Sequence, residues 1–271
     1  MRKTIDHLLT TCIWISSFVT VGVLAWILLH VLLNGIGHIN WEFLSTAAKG
    51  HEGGILPMIV STVAVVLVAV GISTPIGVCA AIYLVEYAKP GKVVRAIRFA
   101  TETLAGIPSI IYGMFGMIFF VNLLKLGFSI LAGAVTLSIM VLPTIVRTTE
   151  EALKAVPIGF KEGSLALGAS KLRTISRVIL PSAIPGILAA IILSIGRIVG
   201  ETAALYFTAG TVPRMPTAIM DSARTLSVHL YLLVYEGISF EKAYATATVL
   251  VVVVALINFM ANRMVMVFKK H

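Results

Sequence analysis

A chain of 271 residues, 58% hydrophobic and 12% charged, has too little polar surface to wrap a water-soluble globule, in which about 25% of residues are charged. The same proportions exclude a disordered or fibrous chain, and two cysteines, Cys12 and Cys79, both in apolar runs, exclude a disulfide scaffold. The formal net charge of +9 would suit nucleic-acid binding unless the positions of the basic residues explain it otherwise.

Runs near 20 apolar residues can cross about 30 Å of hydrocarbon at about 1.5 Å per residue. They predict an all-α polytopic membrane protein with six transmembrane helices, at roughly 8–33, 55–86, 101–124, 127–147, 182–206 and 241–266. The first follows Arg2 and Lys3, but its 26 apolar residues exceed the short core of a cleaved signal peptide, so it should remain as an anchor. An outer segment over 34–54 follows, with Trp41 and Phe43 as expected interfacial anchors. The second span is too long to stand straight and perpendicular, and Gly71, Pro75 and Gly77 offer a kink or break. Only a few residues near 125–127 join the third and fourth spans, which makes them antiparallel neighbours. The 148–181 connection is far longer than two antiparallel helices need, so it should have its own structure and task. The 208–240 segment has Pro213 and Pro216 early, then a half-apolar stretch over 223–235 that should dip into the membrane. Three units result: an N-terminal helix with its external segment (1–54), a five-helix core (55–266) and a short tail (267–271).

With the N-terminus placed in the cytoplasm, Arg2, Lys3, Lys89, Lys92, Arg95, Arg98, Arg147, Lys154, Lys161, Lys171, Arg173, Arg177, Arg263, Lys269 and Lys270 fall inside. Lys49, Lys125, Arg214, Arg224 and Lys242 fall outside, and Arg197 is left within a span. Fifteen against five is a strong positive-inside bias. It predicts a multi-pass protein of the cell membrane with both termini cytoplasmic, and it accounts for the charge without nucleic acid.

In the long inner loop, Pro157 suits a first helical turn, Gly168 its stop, Ser170 the cap of a second helix and Pro181 the end of that helix. Leu165, Leu172, Ile175, Val178 and Ile179 give apolar faces, and Lys161, Lys171, Arg173 and Arg177 give polar ones. Two amphipathic helices lying on the membrane would satisfy these features. The spacing goes further: Glu162-Gly163-Ser164, three residues, Gly168, nine residues, Val178, one residue, Leu180-Pro181. It resembles the EAA loop of ABC-importer permeases, which reads Glu-Ala-Ala, three residues, Gly, nine residues, Ile, one residue, Leu-Pro. Gly163 and Ser164 depart from the alanines but stay small, and Val178 replaces Ile. The resemblance implies a type I importer permease fold in which Glu162, Gly163, Ser164 and Gly168 belong to a coupling helix. That helix would dock on a cytoplasmic ATP-binding subunit dimer.

Arg197 and Glu201 lie within the fifth predicted span. A charge near a span's centre costs roughly 2.5–3.5 kcal/mol on insertion scales, so this pair needs a reason. Four residues apart, they would share a helix face and partly neutralise each other, while Gly196 and Gly200 would let a neighbouring helix approach. A structural ion pair is one account. The other is that Arg197 offers a guanidinium fork to a passing tetrahedral oxyanion, with Glu201 holding the arginine and keeping the anion from binding too tightly. Residues 196–205 resemble the fifth helix of phosphate-specific permeases of the Pst system, A-type subunit. Gly106-Ile107-Pro108-Ser109 through Gly113 and Gly116 resembles their third helix. That resemblance implies phosphate as solute, a C-type second permease and an external phosphate-binding protein.

Arg147 closes the fourth span, either snorkelling and pairing with Glu150 or Glu151, or standing at the inner mouth of the same pathway. Glu86 and Glu102 read as solvated carboxylates at helix ends, and Met114 and Met117 as packing. The histidines His7, His30, His38, His51, His229 and His271 show no ligand spacing, so neither a metal nor a cofactor is expected. The only Gly-Lys dipeptide, Gly91-Lys92, lacks the rest of a phosphate-cradling loop, so the chain reads as a transport subunit and not an enzyme. The rivals are a permease for sulfate or molybdate, and a self-sufficient ion-coupled transporter whose expected inverted repeat is not visible.

Overall fold

The computed structural model describes residues 2–49 and 52–268; Lys269 and Lys270 of the charge count, and His51 and His271, lie outside the described residues. In chain order the helices are α1 (Arg2–Ile36), α2 (Trp41–Ser45), α3 (Leu56–Ile82), α4 (Lys92–Ala105), α5 (Ser109–Gly116), α6 (Ile130–Lys154), α7 (Ile158–Ala166), α8 (Lys171–Thr174), α9 (Leu180–Val199), α10 (Ala203–Thr208), α11 (Leu226–Tyr235) and α12 (Phe240–Phe268). Widened π-helical turns extend α3 over Tyr83–Tyr87 and α5 over Met117–Leu123, and join α8 to α9 over Ile175–Ile179. Among the described residues the only strands form a two-residue antiparallel hairpin, Ala48–Lys49 with Glu52–Gly53.

Five helical stretches are long and apolar enough to cross a membrane: Leu9–Ile36, Leu56–Tyr87, Ile130–Lys154, Lys171–Val199 and Phe240–Met260. The chain is therefore an all-helical multi-pass membrane protein. α3 and α6 lie side by side along their length and α9 packs on both. Their shared core holds Val65, Ala69, Leu137, Met140, Val141 and Ile198. Lipid tails are as apolar as these side chains, so close van der Waals packing holds the helices together. Gly77 serves that need: a Cβ there would lie 2.6 Å from Ile145 Cγ2. A second core, with Leu84, Val146, Leu153, Ile175, Ile179 and Ala183, sits at the end of the bundle where most of the basic residues gather. α1 packs on α12, where Thr248 donates to the Val31 carbonyl (3.2 Å), and the rest of α1 is largely exposed.

Several sequence expectations are corrected. α3 runs through Pro75 without a break; proline removes one backbone bond, and the packing against α6 holds the helix on either side. The third span is not one helix over 101–124. The chain bends by 101° between α4 and the stretch Ser109–Leu123, because Pro108 disfavours helical geometry at Ile107. Pro181 does not end the second loop helix; α8, the π turn and α9 are continuous through it. The wide π turn over Ile175–Ile179 ends just before Pro181, so the return to regular helix falls where the proline's missing N–H removes one backbone bond. The fifth span, expected unbroken to 206, stops at Val199 and resumes as α10 after the unwound 200–202. Trp41 is 81% exposed, as an interfacial anchor would be, but Phe43 is buried against Ile55, Met58, Leu226 and Val249.

The 208–225 segment closes the far end of the bundle from the basic loops. α6 begins there, and its first backbone donors would be unsatisfied without partners. Ser129 N bonds the Thr208 carbonyl, Ile130 N bonds that of Asp221, and Leu131 N bonds that of Ile219. Asp221 itself accepts from Thr217 N (2.7 Å), Thr217 Oγ1 (2.8 Å) and Ala218 N (3.0 Å), which holds its carboxyl below the usual carboxylate range. α11, too short to span, docks with Leu226 N on Thr62 Oγ1 (2.9 Å).

On α11, His229 is buried beside Arg224, whose Nη1 lies 3.4 Å from His229 Nδ1. A guanidinium only donates, so that ring nitrogen must be an unprotonated acceptor. Burial, then the charges of Arg224 and Lys242, push His229 down to about 4 from an ordinary value of 6.5. The unfolded chain therefore binds a proton that the folded chain refuses between those values, and stability falls as pH drops from about 6.5 to about 4. The full loss is about 3 kcal/mol. Thermal unfolding of the purified protein at pH 7.5 and pH 5 should show an acid loss that His229→Gln reduces; an equal loss in both proteins would contradict this placement of the ring.

Candidate functional site

Arg197 lies in the last turn of α9, half-buried, and among the described residues its guanidinium makes no hydrogen bond or ion pair. Its charge is felt at Tyr112 on α5, whose hydroxyl donates to the Leu104 carbonyl (2.8 Å) across the bend before α5. A depth follows from packing. A Cβ on Gly113 would lie 2.9 Å from Ala204 Cα, and one on Gly116 would lie 2.6 Å from Thr208 Cγ2 and 2.9 Å from Thr136 Cγ2. α5, α10 and α6 thus run together here. Six residues of α6 and four of α5 separate the Ile130 end of the bundle from the level of Tyr112, about 15 Å at 1.5 Å per residue. The 200–202 break therefore lies well inside the apolar layer. Unwound backbone is tolerated at such depth only where protein covers it or where it lines a water-filled cavity.

The expected Arg197–Glu201 pair does not form. The break puts Glu201 beyond the end of α9, and its Oε1 accepts from Ala204 N (3.1 Å), capping α10. The Glu201 carbonyl accepts from Ser227 Oγ (2.6 Å), which ties the break to α11. Gly196 and Gly200 receive no neighbouring helix of this chain: a Cβ on Gly196 would meet nothing within 4 Å, and one on Gly200 only the Gly196 carbonyl oxygen at 3.7 Å. Leu193, Gly196, Arg197 and Gly200 form one helical stripe, and Leu193 on it is 60% exposed. The arginine stands on a face that this chain leaves open.

Arg147 is exposed near the basic end of α6, and the carboxylates expected to hold it are engaged elsewhere. Glu150, 8% exposed, pairs with Arg98 of α4 (3.2 Å), and Glu151 pairs with Lys154 (3.1 Å). Arg147, Arg98, Lys154, Glu102, Glu150 and Glu151 line a cavity of about 220 Å³. Arg147 makes no ion pair among the described residues.

The 148–181 connection has the structure expected of it. α7 carries Glu162 and Gly163 on its exposed side. Gly168 stops it at φ +82°, a left-handed geometry suited to glycine, with Ala169 N bonding the Ser164 carbonyl (3.2 Å). Ser170 caps α8 through Arg173 N (3.4 Å). Ser164 points the other way from Gly163, with its hydroxyl 3.0 Å from that of Thr174. It joins α7 to α8 and is not part of the exposed face.

Sequence reasoning missed Glu86. It is not a solvated end residue: its side chain is 5% exposed and its Oε2 accepts from Lys161 Nζ of α7 at 2.6 Å. Lys171, opening α8, donates to the Glu86 backbone carbonyl and lies 4.6 Å from the centre of the Tyr87 ring. Tyr112, Ser227 and Thr62 were missed as well. No local pattern marks them, since their partners lie 8, 26 and 164 residues away.

The sequence profile described as "Binding-protein-dependent transport system inner membrane component" matches residues 73–271, from the middle of α3 through the 148–181 loop, Arg197 and α12. The chain belongs to that family. This permease is 36% identical over 288 residues to the probable ABC transporter permease protein YqgI of Bacillus subtilis (strain 168), covering 99% of this chain and 98% of that protein. It is 33% identical to the phosphate transport system permease protein PstA of Pasteurella multocida (strain Pm70), covering 96% and 94%. It is also 33% identical to PstA 1 of Mycobacterium tuberculosis (strain ATCC 25618 / H37Rv), covering 96% and 88%. Among solved structures, the inward-facing MetNI methionine ABC transporter superposes with a TM-score of 0.66 at 24% identity, covering 79% of this permease and 95% of that chain. A bacterial alginate ABC transporter superposes at 0.65 with 17% identity, covering 96% and 92%. At those identities the likeness is one of fold. The type I importer permease fold expected from the EAA-like loop is thereby met, and the chain is an ABC importer permease subunit, a transport component of a membrane assembly.

Proposed function

We propose that this permease is the A-type membrane subunit of an ATP-driven phosphate importer. The observation that carries the reading is Arg197: a guanidinium with no hydrogen bond or ion pair among the described residues, beside a helix break at mid-depth, on a face where a Cβ on Gly196 would meet nothing within 4 Å. An unpaired charge there is costly unless water, a solute or another subunit meets it. A C-type partner permease packed on the Leu193–Gly196–Gly200 stripe would close a wet pathway around it. Phosphate delivered by an external binding protein would then take two parallel hydrogen bonds from the guanidinium fork. Glu201, held by α10, adds a carboxylate across the break. It can accept a hydrogen bond from the P–OH that phosphate still carries near neutral pH and that sulfate lacks, and its charge keeps the anion from settling.

From Arg197 the anion would pass toward the Arg147 cavity. The exposed α7 face, with Glu162, Gly163 and Gly168, would dock on a cytoplasmic ATPase dimer that performs all hydrolysis. In this reading the chain sits in the cell membrane with both termini cytoplasmic, residues 55–266 form the translocating core, 1–54 a peripheral helix and segment, and 267–271 a cytoplasmic tail. The relatives named for phosphate transport support the solute.

The test is uptake of labelled phosphate by vesicles containing the assembled importer, with sulfate and molybdate as competitors. Unlabelled phosphate alone should compete. Stronger competition by sulfate or molybdate would move the assignment to that anion, and uptake without any ATP-binding partner would overturn the importer mechanism.

A further inference from the structure

We infer that Glu86 is the positioning residue through which movement of the coupling loop enters the membrane core. This inference rests on the proposed docking of α7 on an ATPase subunit and adds the route beyond it. A single residue receives both ends of the loop. The Glu86 carboxylate accepts from Lys161, in the middle of α7, and its carbonyl accepts from Lys171, the first residue of α8. The carboxylate is 5% exposed and Lys161 is 35% exposed, so the pair is partly shielded from water and is not a freely solvated surface contact.

Glu86 lies in the π-helical turn that ends α3, where one carbonyl bond is widened and Ala88 N reaches back to Tyr83 O (2.8 Å). A second π turn, Ile175–Ile179, faces it across the same core, with Leu84 packed with Ile175 and Ile179. Such turns recur at functional positions. α3 then continues into the centre of the bundle against α6 and α9, and α9 carries Arg197 at its far end. A pull on α7 therefore acts on α3 through the Lys161–Glu86 bond and on α9 through the continuous α8–α9 helix. α7 and α8 both meet the end of α3 at Glu86.

The test uses the complete importer in proteoliposomes: this chain, its partner permease, the ATPase subunits and the binding protein. The readout is phosphate taken up per ATP hydrolysed, beside the amount of ATPase that copurifies. Glu86→Gln and Lys161→Met should each retain the ATPase and hydrolysis, yet lower the ratio by about tenfold, a coupling loss of ordinary size. Lys161→Arg keeps the ion pair and should stay within about twofold of the unaltered importer. A contact that only stabilised the fold would lower yield and melting temperature and leave the ratio alone; an unchanged ratio in the assembled Gln and Met variants would overturn the inference. An unaltered chain that retained no ATPase would instead defeat the proposed function on which the inference stands.

Discussion

Replacing Arg197 by Leu should lower phosphate uptake at least about a hundredfold, because a charge-assisted fork to a multiply charged anion contributes several kcal/mol and Leu offers nothing in its place. Assembly should survive. The guanidinium has no partner among the described residues that its removal would orphan, and a leucine on the stripe with Leu193 removes a charge from an apolar depth. The melting temperature should therefore hold or rise. Arg197→Lys keeps the charge but loses the planar fork, and should retain intermediate uptake. These outcomes separate the solute-binding account from a structural one, in which activity and stability would fall together. Uptake assays beside thermal unfolding of the purified complex make the comparison.

A bulky residue at Gly163 should have the second large effect. A Cβ built there meets nothing within 4 Å, and the residue is exposed on a regular helix. Gly163→Phe therefore costs this chain nothing sterically, and leaving glycine favours the helix slightly. Any loss must come from a surface that fits closely against α7. Overpacking at a tight contact costs about 1–3 kcal/mol, or roughly five- to 150-fold in affinity for the ATPase subunit. Copurification and uptake should both fall while the melting temperature of the isolated chain is unchanged. Unaltered ATPase binding would mean that α7 merely lies on the membrane.

The broad fold was legible because its signals are local. Apolar run length predicted six spans, of which five are long helical stretches and the third a bent pair, and excess length marked the 148–181 loop, whose glycine stop and serine cap lie where the residue types demand. What escaped was set by distant partners. Arg147 was expected to pair along its own helix, but Arg98, 52 residues earlier, takes Glu150. Glu86 looked like a helix-end carboxylate because its lysine lies 75 residues on. The break at 200–202 hid inside an apolar stretch, although glycine followed by an acidic and a hydroxyl residue, then Ala-Ala, is a stop and a new start in miniature. Missing it produced the mistaken Arg197–Glu201 pair, since i,i+4 spacing has meaning only in unbroken helix. Pro75 and Pro181 drew attention for the opposite reason: proline signals a helix break in isolation, and here Pro181 follows a π turn within a continuous helix and Pro75 lies in a helix braced by its neighbours.

Water access at position 197 tests the central claim most directly. With Cys12 and Cys79 replaced by serine, Arg197→Cys in the assembled importer would be exposed to a charged, membrane-impermeant thiol reagent. If the arginine faces an aqueous pathway between two permeases, the cysteine should be labelled in the assembled importer, whether or not that variant still carries phosphate. A thiol that stays unlabelled in the assembled importer, both without nucleotide and during ATP hydrolysis, would contradict the account.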